Sequence, residues 1–335
     1  MDRSGELQAR QEKLAGRIGI RSSVARKLPS GPQAYVIKVA PGVILLLLLL
    51  AGIFYWLQRR QSNSDEELSR VSARYAQAVG LLVADKPEES GGRVGLATAW
   101  GVAPGLAVSN AHVAVLLESL LAQGIPVSIV VNGTGESLPV AAVSRHPEFR
   151  MEEGFYDLAL IAVTKDFPLH FALAAVSELE HLQAGVRVAY LGFPMENLRD
   201  GNVNTAKPVA TMQSGIITAL SDFNQVDAGS GKNFLIKHNL GVTGGASGSP
   251  LFDVQGRVVG VVNAMNMVRQ LVLINDKQLA ESRSPSAAMV NFAHRIDLLG
   301  AVPAPAGRKL PFRSGYCSEN SEAMKDVEAS APPPP

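Results

Sequence analysis

Ser247 stands in a run of small residues, Gly244-Gly245-Ala246-Ser247-Gly248-Ser249-Pro250, and a strand-like stretch, Val258–Val262, follows it. A serine hydroxyl is a weak nucleophile until a base takes its proton. Acyl transfer also needs backbone N–H groups turned toward the oxyanion that forms. Glycines lack a Cβ and permit a turn tight enough for that. A glycine-rich hairpin turn reads the same way, so the run implies chemistry only if the chain also supplies a base and an acid. His112, in Ser109-Asn110-Ala111-His112-Val113-Ala114, follows a strand-like run and opens an apolar, helix-like stretch. Such a junction can hold an imidazole, the usual general base near neutral pH. Asp157, in Tyr156-Asp157-Leu158-Ala159-Leu160-Ile161-Ala162-Val163, sits at the mouth of a buried strand. A carboxylate there can accept an imidazole N–H, fix its tautomer and stabilise the imidazolium. Taken singly, each has a plain structural reading, a core histidine or a turn aspartate. Together they run in the order His, Asp, Ser at separations of 45 and 90 residues, one of the known orders of a catalytic triad.

The elements that must hold these residues are short. From Gly91 onward, apolar runs are broken by Gly, Pro, Asn and Asp at strand-like intervals. Strands are expected at Val94–Val102, Leu106–Ser109, Pro126–Val131, Leu158–Val163, Val186–Leu191, Phe234–Lys237, Val258–Ala264, Leu271–Ile274 and Met289–Phe292. Many short strands with few helical windows predict an all-β sandwich or a pair of barrels. His170–Leu182 reads as the connector between two halves, and Phe292–Leu299 as a closing C-terminal helix. Residues 303–335 are rich in Pro, Ser and Ala and read as disordered.

Ahead of the β-rich region, residues 39–57 are nearly unbroken apolar sequence, including Leu45 through Leu50. About 19 such residues suit a transmembrane helix. Tyr55, Trp56, Arg59 and Arg60 mark a membrane edge. Basic residues from Arg3 to Lys38 precede the span, and Asp65, Glu66 and Glu67 follow soon after it. The positive-inside rule then puts residues 1–38 in the cytoplasm and the long C-terminal part on the outer, periplasmic or extracytoplasmic side. Residues 58–90 form a juxtamembrane linker or helix. Ser64-Asp65-Glu66-Glu67 resembles a capping box, and Leu68, Val71, Tyr75, Ala78 and Leu82 recur at helical spacing behind it. Thirty-one basic against thirty acidic residues give no reason to expect nucleic acid. The single cysteine, Cys317, excludes an intramolecular disulfide. His146, His170, His181, His238 and His294 lack ligand spacing and read as surface or packing residues, so neither metal nor cofactor is implied.

Over roughly residues 92–300 the blocks resemble the trypsin-like serine peptidases, and among them the HtrA/Deg branch. That branch carries Thr-Asn-Ala-His-Val, here Ser109-Asn110-Ala111-His112-Val113, and Asp-Leu-Ala before an apolar strand, here Asp157-Leu158-Ala159. It carries Gly-Asn-Ser-Gly-Gly-Pro, here Gly245-Ala246-Ser247-Gly248-Ser249-Pro250. Leu191–Pro194, Ser214–Leu220 and Asn291–Ala293 resemble secondary blocks. The resemblance implies a chymotrypsin-like double β-barrel over residues 91–302 and a serine endopeptidase acting on proteins or peptides. It implies Ser247 as nucleophile, His112 as base, Asp157 as its orienter, and the N–H groups of Gly245 and Ser247 as oxyanion donors. Ser249, the competing serine, falls on the second glycine of the motif. Ala246 and Gly244 stand where the family has Asn and Pro, which leaves the oxyanion turn less determined. A donor lost there typically costs about 3–4 kcal/mol of transition-state stabilisation. The substrate pocket would draw on Gly241, Val242, Asn263 and Ala264, and with no Asp at Gly241 it favours a small or medium apolar residue. Members of the branch often carry a PDZ domain, for which the residues after 300 are too few, and often trimerise. Nothing in the sequence establishes a homo-oligomer. The alternative is a catalytically silent or regulated scaffold on the same fold. It is motivated by the altered turn and by the inserted stretch Met267–Ala287, which reads as a regulatory loop.

Overall fold

The computed structural model describes residues 41–85, 92–195, 203–263, 267–275, 278–285, 290–305 and 308. The side chains of 41–44, 57–63 and 267–285 are outside that description. The segment expected to be cytoplasmic, 1–38, lies outside the described residues, as does most of 303–335.

Helix α1 runs unbroken from Pro41 to Arg74. Ser64 therefore lies inside the helix rather than capping one. Among the described residues no helix is long and apolar enough to cross a membrane. Leu45 through Leu50, Ile53 and Phe54 are exposed on α1. At the other end of α1, Leu68 is fully buried and Val71 and Tyr75 pack on the same core. The helical stripe expected to reach Leu82 stops at Arg74. A 3-10 turn at Ala76–Ala78 follows, and the chain then enters strand β1, Val79–Asp85. Every residue from Val79 to Ala84 is buried. A strand covered on both faces loses its polar alternation, so its spacing cannot distinguish it from a buried helix.

Strand β1 joins β2 (Arg93–Ala103), β3 (Leu106–Ser109), β4 (Val127–Val131), β5 (Ser137–Arg145) and β6 (Ala159–Val163) in a closed barrel of order β1-β2-β3-β6-β5-β4. Side chains alternate across such strands. Leu82, Ala99, Ala107, Ile129, Leu138 and Ile161, one from each strand, form a cluster with Val113 and Leu117. The alternate residues Leu81, Trp100, Val108, Val130 and Leu160 belong to a second cluster that continues through the other barrel. Each fully buried Leu, Ile or Val among them stabilises the fold by roughly 1.5–3 kcal/mol. Val113 and Leu117 come from helix α2, Ala111–Ala122, which directly follows β3. Its stretch has no Pro or Gly, and it ends where Gly124 takes φ +73°, the left-handed backbone that suits glycine after a helix.

The connector holds a two-residue strand β7 (Ala172–Leu173) and a helical turn α3 (Val176–Leu179). The second barrel comprises β8 (Arg187–Gly192), β9 (Thr211–Ser221), β10 (Leu235–His238), β11 (Pro250–Asp253), β12 (Arg257–Val262) and β15 (Asn291–Arg295). Its order is β11-β8-β9-β10-β15-β12, the pairing of β11 with β12 closes the ring, and β7 lies parallel to β12. The all-β, double-barrel expectation is thus met. The expected closing helix over Phe292–Leu299 is met in part: Asn291–Arg295 is a strand, and a 3-10 helix, Ile296–Ala301, follows it. The inserted stretch forms a separate hairpin of β13 (Met267–Asn275) and β14 (Gln278–Pro285). In the tail, Arg308 donates from Nη2 to the Val163 carbonyl at 3.0 Å.

Candidate functional site

Asn110 occupies the N-cap position of α2, yet its side chain caps nothing. Its Nδ2 instead donates to the Asp157 carbonyl at 2.9 Å. The first N–H groups of a helix have no partner within it and attract negative charge. Here the Asp157 carboxylate meets that need: Oδ1 accepts the His112 N–H at 2.7 Å. Its other oxygen, Oδ2, lies 2.7 Å from His112 Nδ1. An ionised carboxylate only accepts, so Nδ1 carries a proton, and in the neutral ring Nε2 is bare. The Asp157 side chain is 2 % exposed and that of His112 34 % exposed. The arrangement therefore buries the acid and leaves the basic nitrogen's ring open.

Asp157 is delivered by a strained turn. Tyr156 has φ +52°, a region costly for a bulky residue. Leu158 N–H reaches back to the Tyr156 carbonyl at 2.8 Å. His146 stacks on Tyr156 with centroids 4.8 Å apart, and Phe223 meets it edge-on at 4.7 Å. The turn leaves the Asp157 N–H outside the strand ladder. That N–H donates across to Nδ1 of His294, on β15, at 3.2 Å. Burial pushes the His294 pKa down from 6.5 to about 4, and the same cause puts buried His146 at about 4.

Ser247 and Ser249 separate cleanly. Ser249 is fully buried and its hydroxyl donates to the Ala246 carbonyl at 2.6 Å. Ser247 is half-buried, and its hydroxyl donates to the backbone carbonyl of Asn263 at 2.8 Å, not to His112. Gly245 has φ +87°, and a Cβ there would overlap the Phe193 carbonyl oxygen and crowd Met195 Cγ. Only glycine fits. Among the described residues, the N–H groups of Gly245 and Ser247 donate to no other group, whereas that of Ala246 bonds to Thr243 at 3.1 Å. Ala246 is fully buried, so its missing amide side chain leaves the turn closed by backbone bonds.

The turn is tied to the first barrel by Thr98, a buried residue of β2. Its N–H donates to the Ser247 carbonyl at 3.0 Å. Its hydroxyl donates to the Gly245 carbonyl at 2.8 Å and accepts the Phe193 N–H at 3.0 Å. Ser109, three residues before His112, donates to the Thr98 carbonyl at 2.8 Å. Thr98 thus couples the serine turn to the strand that leads into His112. Sequence reasoning missed Thr98 and gave His294 no role; their only signal is a polar residue inside an otherwise apolar strand.

Of the expected pocket residues, Val242 is buried and Gly241 is half-buried. The Gly241 carbonyl accepts the Tyr190 hydroxyl at 2.5 Å, a phenol that sequence reading did not foresee there. Asn263 is 8 % exposed, with its carbonyl engaged by Ser247. Ala264 lies outside the described residues.

Residues 97–261 match the family model described as the trypsin-like peptidase domain, an interval that contains His112, Asp157 and Ser247. A comparison with curated proteins finds no match. Among solved structures, Deg5 is similar at 16 % identity, over 70 % of this chain and 91 % of that one, with a TM-score of 0.45. The Rv3671c protease from M. tuberculosis in its active form is similar at 19 % identity, over 74 % and 88 %, with a TM-score of 0.43. The HtrA-type protease AlgW with a decapeptide is similar at 17 % identity, over 70 % and 65 %, with a TM-score of 0.45.

Proposed function

We infer that the chain is a serine endopeptidase acting on proteins or peptides, a reading supported by the match of residues 97–261 to the trypsin-like peptidase domain model. The observation that carries this reading is the grip of Asp157 on His112, through both the ring and the backbone N–H at 2.7 Å each. It leaves Nε2 as the free base. In the reaction, the Ser247 hydroxyl leaves the Asn263 carbonyl and gives its proton to His112 Nε2 as Oγ attacks the peptide carbonyl. Asp157 stabilises the imidazolium, and the Gly245 and Ser247 N–H groups take the oxyanion. The protonated His112 then gives its proton to the leaving amine, and water resolves the acyl-enzyme by the same route in reverse. Cleavage of casein by the full chain tests this. Activity lost in His112→Ala and Asp157→Asn supports the reading; equal cleavage by all three chains rejects it.

The apolar run at 39–57 further supports tethering to a membrane. Its sequence length suits a span, and six consecutive exposed leucines, Leu45 through Leu50, make a surface that lipid covers better than water. The charge pattern favours a cytoplasmic N-terminus and a protease domain on the outer side. Carbonate extraction of cell membranes, with protease accessibility of the two ends, decides both points.

A second reading, a protein silent at rest, has its own observation: the Ser247 hydroxyl is turned to Asn263 rather than to His112. Casein cleavage by the unmodified full chain rejects a permanently silent protein.

A further inference from the structure

The polar groups of Asp157 are fully accounted for by three partner residues, two at the start of α2 and one on β15. Its carbonyl takes Asn110, and its two carboxylate oxygens take the N–H and the ring of His112. The fourth group, its N–H, is exposed by the strained Tyr156 turn and would be orphaned in the interior without the imidazole of His294. His294 comes from the other barrel, where β15 pairs it with Leu235 on β10 and Val261 on β12.

We propose that His294 is a positioning residue for Asp157: a neutral imidazole in the Nε2–H form, whose bare Nδ1 holds the Asp157 N–H and so fixes the turn that presents the carboxylate to His112. The proposal rests on the peptidase reading for its kinetic consequence, but not for its geometry.

Tautomer and charge follow from the contacts. A nitrogen that accepts the Asp157 N–H cannot carry a proton, so a neutral ring must be protonated on Nε2. The titratable groups facing His294 are Asp157, His112 and His146. Phe223 lies edge-on to the ring at 5.2 Å. Burial holds the imidazole neutral at physiological pH. The same ring touches the serine side: its Nε2 lies 3.5 Å from the side-chain amide of Asn263, whose backbone carbonyl holds Ser247. The nearer atom of that amide, Nδ2, also faces the Gly154 carbonyl at 3.5 Å, and at this separation it makes at most a weak contact with either group.

The experiment compares the full chain with His294→Phe, which keeps a planar ring but removes the acceptor, and with His294→Asn, which places an amide oxygen near the Nδ1 position. A displaced carboxylate misaligns the base, and misplacement of about 1 Å costs up to about a hundredfold. His294→Phe is expected to lower kcat/KM about tenfold to a hundredfold through kcat, with KM nearly unchanged, and His294→Asn to recover most of that loss. The hydrogen-bonded His112 Nδ1 proton should give a downfield resonance in the wild type and in His294→Asn, and lose it in His294→Phe. A folded His294→Phe chain with unchanged kcat and an unchanged resonance overturns the proposal. Nitrogen-15 shifts of the wild-type ring supply a test independent of any variant's folding: the Nε2–H form supports the proposal, and a protonated Nδ1 overturns it. A wild type without peptidase activity whose resonance still depends on His294 rejects the peptidase reading while the positioning role stands.

Discussion

Thr98→Val removes one oxygen atom and almost nothing else. Valine matches threonine in shape and in β-branching, so the strand and its packing are kept. What disappears are the bond to the Gly245 carbonyl at 2.8 Å and the bond from the Phe193 N–H at 3.0 Å. Thr98 is fully buried, so water cannot replace the hydroxyl. A buried polar group left unpaired costs about 1–3 kcal/mol, which for two backbone groups, less the saving from not burying a hydroxyl, comes to roughly 2–4 kcal/mol. The Thr98 N–H still holds the Ser247 carbonyl, so the turn stays attached to β2 while its oxyanion end loosens. The expected result is a guanidinium unfolding curve shifted by that free energy. With it should come a fall in the fluorophosphonate reaction rate of about tenfold or more, since one oxyanion donor alone is worth about a hundredfold. Unchanged stability together with an unchanged rate would refute the view that Thr98 couples the two barrels at the site.

Two further outcomes follow from the same contacts. Gly245→Ala forces a Cβ onto the Phe193 carbonyl oxygen at φ +87°, so kcat should fall by at least about a hundredfold with the loss of a donor; near-normal turnover would mean that Gly245 does not shape the hole. His146, His238 and His294 are held near pKa 4 by burial, against 6.5 in the unfolded chain. Their folded pKa values are lowered, so the stability they contribute is fully present above about pH 6.5 and is lost as pH falls toward 4. Between pH 7 and pH 5 the loss is about 2 kcal/mol per histidine. A denaturant midpoint that stays flat over that range contradicts the burial argument.

The fold was legible wherever strands kept their punctuation. Leu106–Ser109 agrees residue for residue, and the double barrel follows from many short strands. Strand β1 was not legible because all its residues from Val79 to Ala84 are buried and its spacing continues that of α1. The closing helix starts later than expected, at Ile296, because Asn291–Arg295 pairs with β10 and β12, a tertiary demand that overrides local pattern. At the site, His112 and Asp157 were legible as a pair because each lies in a strand-end block whose chemistry is local. Thr98 and His294 were not, because their contacts span 147 and 137 residues and join one barrel to the other. The choice of Ser247 over Ser249 rested on motif position; in the structure, burial and the bond to Ala246 set Ser249 apart.

The central claim is that Ser247 is a nucleophile activated by His112. Labelling the full chain with a fluorophosphonate and locating the adduct by mass spectrometry tests it most directly. The account predicts one adduct, on Ser247, absent in Ser247→Ala and formed far more slowly in His112→Ala. An adduct of equal yield in Ser247→Ala, or a wild type that takes no label, would contradict it.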